Sequence, residues 1–505
     1  CTAFASTVVV SATPAAAATT CHGAAPSDFN GDGISDAVIG EPDIDDSGNS
    51  NGGRVHVVFG TRAGLTADAS GSALNDQILA PSTPGIGGYG ASIVTADFNG
   101  DGCADLAVGD PLAKVETTNV TGGVVHVYDG DPVQGFKDPI TLDVTFLDET
   151  PGPDDLFGYA LAAGDLNGDG LPDLIIGAPG ENNSAGAIYV IPGDPDGPQF
   201  NPVRFAQGDG IVPGASEGGD QFGFALATGD FDGDHRADVA VGDPGENSRA
   251  GAVDVLRGNN SPTMLTASGA KSWSQNTSGI SGTAEVGDNF GYAVAAGDFN
   301  GDHRSDLAVG VPGEGVGSAT QAGNINVIYG SATGLTSSKN QGWNQNSAGV
   351  SGTAESQDEF GFALAAGDFN GNGRTDLAIG VPGEALGSVK RAGQVNVLIG
   401  ASGGLTASGS SVWTQNTSGI SGTAETNDEF GAGLAVIRVK SAGRDDLLVG
   451  VPGEALGSTT TAGMAHFIPG SGSGLTASGS QAFDDDSAGI QGTSCLDCAW
   501  GYAVG

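Results

Sequence analysis

The sequence predicts an all-β chain folded as a seven-bladed β-propeller of four-stranded antiparallel blades, and three observations predict it. A nine-residue acidic pattern recurs at intervals of 65–70 residues. Between its copies lie apolar runs of four to eight residues bounded by Gly, Pro and Asn, which read as strands rather than helices. The last residues, Trp500 to Gly505, repeat the run that opens every copy except the first. Units of this kind cannot bury both faces alone, so radial packing of the sheets is the expected solution.

The chain begins CTAFASTVVVSATPAAAATT, an apolar run of small residues that reads as the back half of a secretory signal peptide, with cleavage expected after Ala18. A lipoprotein start at Cys1 is the alternative, although a polar tether rather than an apolar run should follow such a cysteine. Residues 1–18 are therefore assigned to the leader and 19–505 to one propeller. No other stretch has the roughly 20 apolar residues that a membrane span requires. Beyond residue 18, Cys21, Cys103, Cys495 and Cys498 allow three pairings.

The acidic pattern follows, as DFNGDGISD, DFNGDGCAD, DLNGDGLPD, DFDGDHRAD, DFNGDHRSD and DFNGNGRTD. Position one is Asp28, Asp97, Asp165, Asp230, Asp298 and Asp368. Position three is Asn30, Asn99, Asn167, Asp232, Asn300 and Asn370, and position five is Asp32, Asp101, Asp169, Asp234, Asp302 and Asn372. Position nine is Asp36, Asp105, Asp173, Asp238, Asp306 and Asp376. Together with the backbone carbonyl of position seven (Ile34, Cys103, Leu171, Arg236, Arg304 and Arg374), these oxygens suit a hard dication with six to eight ligands at about 2.3–2.6 Å. Calcium fits better than magnesium, which keeps its waters, or zinc, which would need His or Cys at ligand spacing. Position six must turn sharply and is Gly33, Gly102, Gly170 and Gly373 in four copies. In the other two it is His235 and His303, read as turn residues because His is among the few side chains enriched at positive φ.

Counting on from Asp368, a seventh copy falls at residue 438, where GLAVIRVKSAGRDDLLVG aligns without gaps with ALAAGDFNGNGRTDLAIG. Arg438 and Lys440 replace the first two ligands and only Asp446 survives, so about six calcium sites are expected and the seventh blade should bind none. The formal charge is −43, from 60 acidic and 17 basic residues, and six dications would bring it to −31. A chain this acidic repels phosphate backbones, which argues against a nucleic-acid partner.

Around each pattern the frame repeats. An aromatic-glycine pair opens it at Tyr89, Phe157, Phe222, Phe290, Phe360 and Phe430, and Gly-x-Pro closes the run after it at Gly40, Gly109, Gly177, Gly242, Gly310, Gly380 and Gly450. The residue between Gly and Pro is Ala in the third copy and Val, Asp or Glu elsewhere, a change not expected to alter the turn. The succession of aromatic-glycine, acidic cage and Gly-x-Pro resembles the FG-GAP repeat of integrin α-subunit propellers over nearly all of the chain. By this resemblance the acidic loops lie on the lower face, away from the ligand surface, and stabilise the blades, while loops on the opposite face recognise a partner.

The C-terminal strand is expected to complete blade 1, because the next first Asp would fall at 508 and Asp28 supplies it. Cys21 then lies across one seam from Cys495 and Cys498. A bond between Cys21 and either would close a loop of roughly 475 residues, worth about 6 kcal/mol on the chain-entropy model.

Trp273, Trp343 and Trp413 open nearly copied loops. An aromatic at a fixed blade position is expected to pack between blades, against the alternative of a ring for sugar or protein contacts. Lys390 and Arg391 put positive charge at one rim. Gly214–Gly218 and Gly400–Gly404 match GxSxG, but a nucleophile elbow needs a strand-to-helix turn, and the six histidines form no recognisable triad. The expectation is a secreted, monomeric, non-enzymatic module for adhesion or recognition of an extracellular protein or glycan. The alternatives are a phospholipase- or esterase-like hydrolase, or an accessory propeller of one, and a structural wall or matrix component.

Overall fold

A computed structural model of the chain describes Cys21 and residues 27–42, 45–46, 49–50, 52–66, 76–81, 88–147, 150–195, 197, 202–439, 443–457, 459–490 and 498–505. The proposed leader, Lys440 and Cys495 lie outside the described residues. Seven antiparallel sheets follow one another, each built on a second strand that is buried along its whole length. Blade 5 is typical: Val294–Gly297, Asp306–Val311, Asn324–Tyr329 and Thr336–Trp343 pair in chain order. The first strands are short and rich in Ala, Gly and Thr, as in Ala160–Gly164 and Ala225–Gly229, so that neighbouring strands can converge at the axis. Outer strands such as Thr336–Trp343 are polar and partly exposed.

The core consists of layers between blades. In one, Phe231, Val253 and Trp273 of blade 4 pack on Phe290, Leu307 and Val309 of blade 5. Burying an aromatic of this size stabilises by roughly 2–3 kcal/mol. Trp273 and Trp413 are buried and Trp343 is partly buried against the next layer, so these tryptophans are packing residues. Glycines let the layers close. A Cβ on Gly310 would sit 2.1 Å from the carbonyl oxygen of Gly361 in the next blade, and one on Gly323 would sit 2.3 Å from the backbone of Phe360. Hence the Gly of Gly-x-Pro, and the Ala-Gly or Gly-Gly doublet that precedes each third strand.

The ring closes as the termini required. The N–H of Val38 donates to the Gly505 carbonyl at 2.8 Å, Gly505 N–H donates back to Val38 at 2.9 Å, and Gly40 N–H donates to Ala503 at 2.8 Å. The last strand therefore pairs with Ala37–Glu41 and completes blade 1, whose other strands are Arg54–Thr61 and Gln77–Leu79. Trp500 joins the layer between blades 7 and 1.

The disulfide expectation is corrected. Cys21 bonds to Cys103, not to Cys495 or Cys498. Cys103 occupies position seven of the second acidic loop, and in other blades the side chain at that position reaches back over the preceding loop. Arg236 lies over Gly168 and Arg304 over Gly233. Here the bridge does the same work, since Cys21 packs on Gly31 of the first loop.

Candidate functional site

Each acidic loop joins the first strand of a blade to the second. In the first loop, Asp28 accepts the N–H groups of Asp32 at 3.0 Å and Gly33 at 2.8 Å, Asn30 accepts Asp32 N–H at 3.0 Å, and Asp32 accepts Ile34 N–H at 3.0 Å. The same turn forms in blade 4, where Asp230 accepts from Asp234 and His235, and in blade 6, where Asp368 accepts from Asn372 and Gly373. These bonds turn the oxygens of positions one, three and five inward. In blade 4 the carboxylates of Asp230, Asp232 and Asp234 lie within 4.8 Å of one another. Position six is left-handed throughout, with φ of 68° at His235 and 67° at His303, and His235 points into solvent as a turn residue would.

Position nine is tied differently. Asp306 accepts Phe299 N–H at 3.0 Å and Gly330 N–H at 2.9 Å, pinning the loop to the end of the third strand. The pin recurs at Asp36, Asp105, Asp173 and Asp238, and also at Asp446 of blade 7, which accepts Val439 and Gly470 N–H, each at 2.8 Å. All six of these aspartates are buried, as is Asp376 of blade 6. The amide of position three touches position nine, as Asn370 Nδ2 donates to Asp376 at 2.8 Å. Position nine thus serves the backbone and also borders the cage.

Burial pushes these acids up, against the lowering effect of the N–H bonds. Asp105 rises to about 8, Asp173 to about 6, and Asp238, Asp306 and Asp376 to about 7, with the other loop carboxylates adding repulsion. Crowded carboxylates lined by neutral amide oxygens fit a hard cation, whose charge would reverse these shifts. In blade 4 the fourth acid, Asp232, pairs with Arg257. In blade 7, Arg438 turns onto Asp445 at 2.7 Å instead.

The loops are also chained. Position eight of one blade donates its N–H to the position-one carbonyl of the blade before: Ala104 to Asp28, Ala237 to Asp165, Ser305 to Asp230, Thr375 to Asp298, Asp445 to Asp368 and, across the seam, Ser35 to Arg438, at 2.8–3.2 Å. Blade 3 has Pro172 there and no N–H to give.

At the opposite end of the first strands, the residue after each aromatic-glycine pair faces the axis. Tyr159, Phe224, Tyr292 and Phe362 stand with neighbouring ring centroids 4.9–5.0 Å apart. With Tyr502, Asn427, Glu429 and Thr461 they line an axial well of about 490 Å³. Burial pushes the Tyr292 hydroxyl up to about 12. Sequence reasoning missed this ring, whose only signal is a third letter after Phe-Gly. The basic rim is neutralised in part, since Arg391 pairs with Glu429 at 2.9 Å and Glu359 at 3.7 Å. Neither GxSxG segment makes an elbow: Ser216 is exposed in a loop, and Ser402 lies in the turn between Gln394–Ala401 and Gly404–Trp413.

Residues 89–128, 157–191, 222–256, 290–327 and 360–398 match the FG-GAP repeat. These segments belong to blades 2–6; blade 1 is split between the chain ends and blade 7 has lost its cage. Mouse integrin alpha-7 is 36% identical over 157 residues, which is 31% of this chain and 12% of that protein. Integrin alpha pat-2 of Caenorhabditis briggsae is 33% identical over 240 residues, 44% of this chain and 17% of its own. Human phosphatidylinositol-glycan-specific phospholipase D is 35% identical over 153 residues, 30% and 18% respectively. The matches span less than a fifth of the length of these relatives.

Proposed function

From an integrin-α-like FG-GAP propeller, which this chain is, we propose an exported recognition module, braced by calcium on one face and docking an extracellular protein or glycan on the other. The axial aromatic well carries this reading. Aromatic faces beside a carboxylate attract a cationic side chain by about 0.5–2 kcal/mol each and also stack on sugar rings. Rings buried to their neighbours on one side and open on the other present that chemistry without reorganisation. The Cys21–Cys103 bond favours an oxidising compartment, in keeping with cleavage after Ala18 and a secreted chain.

In blades 1–6, positions one, three, five and nine and the carbonyl of position seven would hold calcium. The ion draws together acids that otherwise repel, and the N–H bonds from loop to loop pass that restraint between neighbouring blades, except from blade 3 to blade 2, where Pro172 interrupts them. Among the described residues no helix is long and apolar enough to cross a membrane.

Glycan and matrix-protein arrays probed with the wild type and with Phe224→Ala/Tyr292→Ala test the docking face. Binding by the wild type, lost in the folded variant, is expected. Undiminished binding by the variant would overturn the assignment of the well, and turnover of phosphodiester, ester or glycoside substrates by the wild type would overturn the non-enzymatic reading in favour of the hydrolase alternative.

A further inference from the structure

At five of the interfaces between blades, on the face opposite the acidic loops, a polar group just past one blade's fourth strand meets the end of the next blade's second strand. In blades 5, 6 and 7 it is a glutamine on one carboxylate: Gln275 on Glu314, Gln345 on Glu384 and Gln415 on Glu454. The flanking buried residues there are Val311 with Asn326, Val381 with Asn396, and Val451 with His466. At blade 1 the acids Glu41 and Asp485 share Arg54. Blade 4 differs. Its glutamine, Gln207, donates Nε2 to Asp243 at 2.8 Å and to Asp254 at 3.2 Å, both carboxylates fully buried.

Beside this pair lie Glu246, Asp220 and Glu217, their oxygens within 4.8 Å of one another, with Asp220 buried, Glu246 half-buried and Glu217 exposed. Among the described residues no Lys, Arg or His pairs with any of the five. The nearby cations are used elsewhere, Arg249 on Asn289 and Arg204 on Glu181. Among the described residues one oxygen each of Asp243, Asp254 and Glu246 lacks a hydrogen-bond partner, as does Oε1 of Gln207, like that of Gln275, Gln345 and Gln415; Gln207 is 6% exposed, and its head is aimed into the cluster. Buried anions without a counter-charge cost several kcal/mol each. A glutamine head turned about would offer these acids' companion a neutral oxygen where its nitrogen now stands.

We infer that Gln207, Asp243, Glu246 and Asp254 form a second kind of cation site, for a hard divalent ion such as calcium, with Asp220 and Glu217 at its mouth. It lies at the other end of the strand Asp238–Asp243 from the acidic loop of the same blade, about 16 Å away at the rise of a strand. Burial, and for Asp243 the neighbouring carboxylates, push Asp254 up to about 6 and Asp243 well above the usual range when no ion is bound.

The test counts metal by mass spectrometry after dialysis against calcium chloride, with magnesium chloride as comparator. The variant Asp243→Val/Asp254→Asn carries the pair that blades 5 and 6 already accommodate. It should bind one calcium fewer per chain than the wild type and melt no lower than the wild type in EDTA. Equal calcium in both proteins would overturn the inference and leave protonated acids as the explanation. Should that variant not fold, Glu246→Gln decides: at least a tenfold weaker binding of one calcium supports the site, and an unchanged titration refutes it. Asp230→Ala, which removes a loop site in the same blade, keeps the two losses distinguishable.

Discussion

The loop of blade 4 and the loop of blade 7 share a backbone and little of their chemistry. Both end on a buried aspartate that accepts two N–H groups, Asp238 from Phe231 and Gly258, and Asp446 from Val439 and Gly470. Both are tied to the blade before them through position eight. Yet blade 4 aims three carboxylates at one point, while blade 7 begins with Arg438 folded onto Asp445. The turn therefore stands on position nine and its hydrogen bonds, and the ligands at positions one, three and five are a separate layer that one blade has discarded.

The largest expected effect separates these layers. If six loops hold calcium, EDTA should lower the melting temperature sharply, because ligand at 100 times its Kd adds about 2.7 kcal/mol per site. A melt unchanged by EDTA would break the comparison. Next comes Asp446→Ala, which leaves two buried N–H groups unpaired in a blade expected to bind no metal. A loss on the order of 3 kcal/mol in chemical denaturation is expected, with calcium content unchanged. Asp230→Ala should do the reverse, removing one calcium and costing less than Asp446→Ala when both are measured in EDTA.

Acid sharpens the contrast further. Burial lowers His466 to about 4 from an ordinary 6.5, with no partner among the described residues on either ring nitrogen, whereas Asn396 at the same place in blade 6 donates to the Ser351 carbonyl at 2.9 Å. Below pH 6.5 the unfolded chain takes up a proton that folded His466 refuses. Stability present above that pH is therefore lost as pH falls towards 4, by about 3 kcal/mol for this one group. Replacing it, His466→Asn should remove that share of the acid sensitivity, read as the difference between the two proteins in urea melts at pH 7 and pH 4. The smallest effect belongs to His235→Gly. Glycine adopts the left-handed turn at no steric cost, so stability should change by less than about 1 kcal/mol and calcium content not at all.

Much of the scaffold was legible because its signals are local and repeated. Oxygens at every second residue announced the turn, His235 and His303 stood where a left-handed residue was needed, and Trp500–Gly505 matched the strand that blade 1 lacked. What stayed hidden depends on contacts across blades. Four cysteines left three pairings open, and only the packing of position seven over the preceding loop brings Cys103 to Cys21. The axial ring is written in single letters some 65–70 residues apart and mixes Tyr, Phe and Ala. Gln207 follows the last strand of blade 3, while the acids around it come from blade 4 and the loop leading into it, in three separate segments, so no stretch of sequence displays them together.

The most direct test of the central claim is anomalous diffraction at long wavelength from crystals grown in calcium chloride. Difference peaks enclosed by the acidic loops of blades 1–6, with none beside Arg438 and Asp446, are the predicted result. Loops without peaks, or a peak in the blade 7 loop, would contradict it.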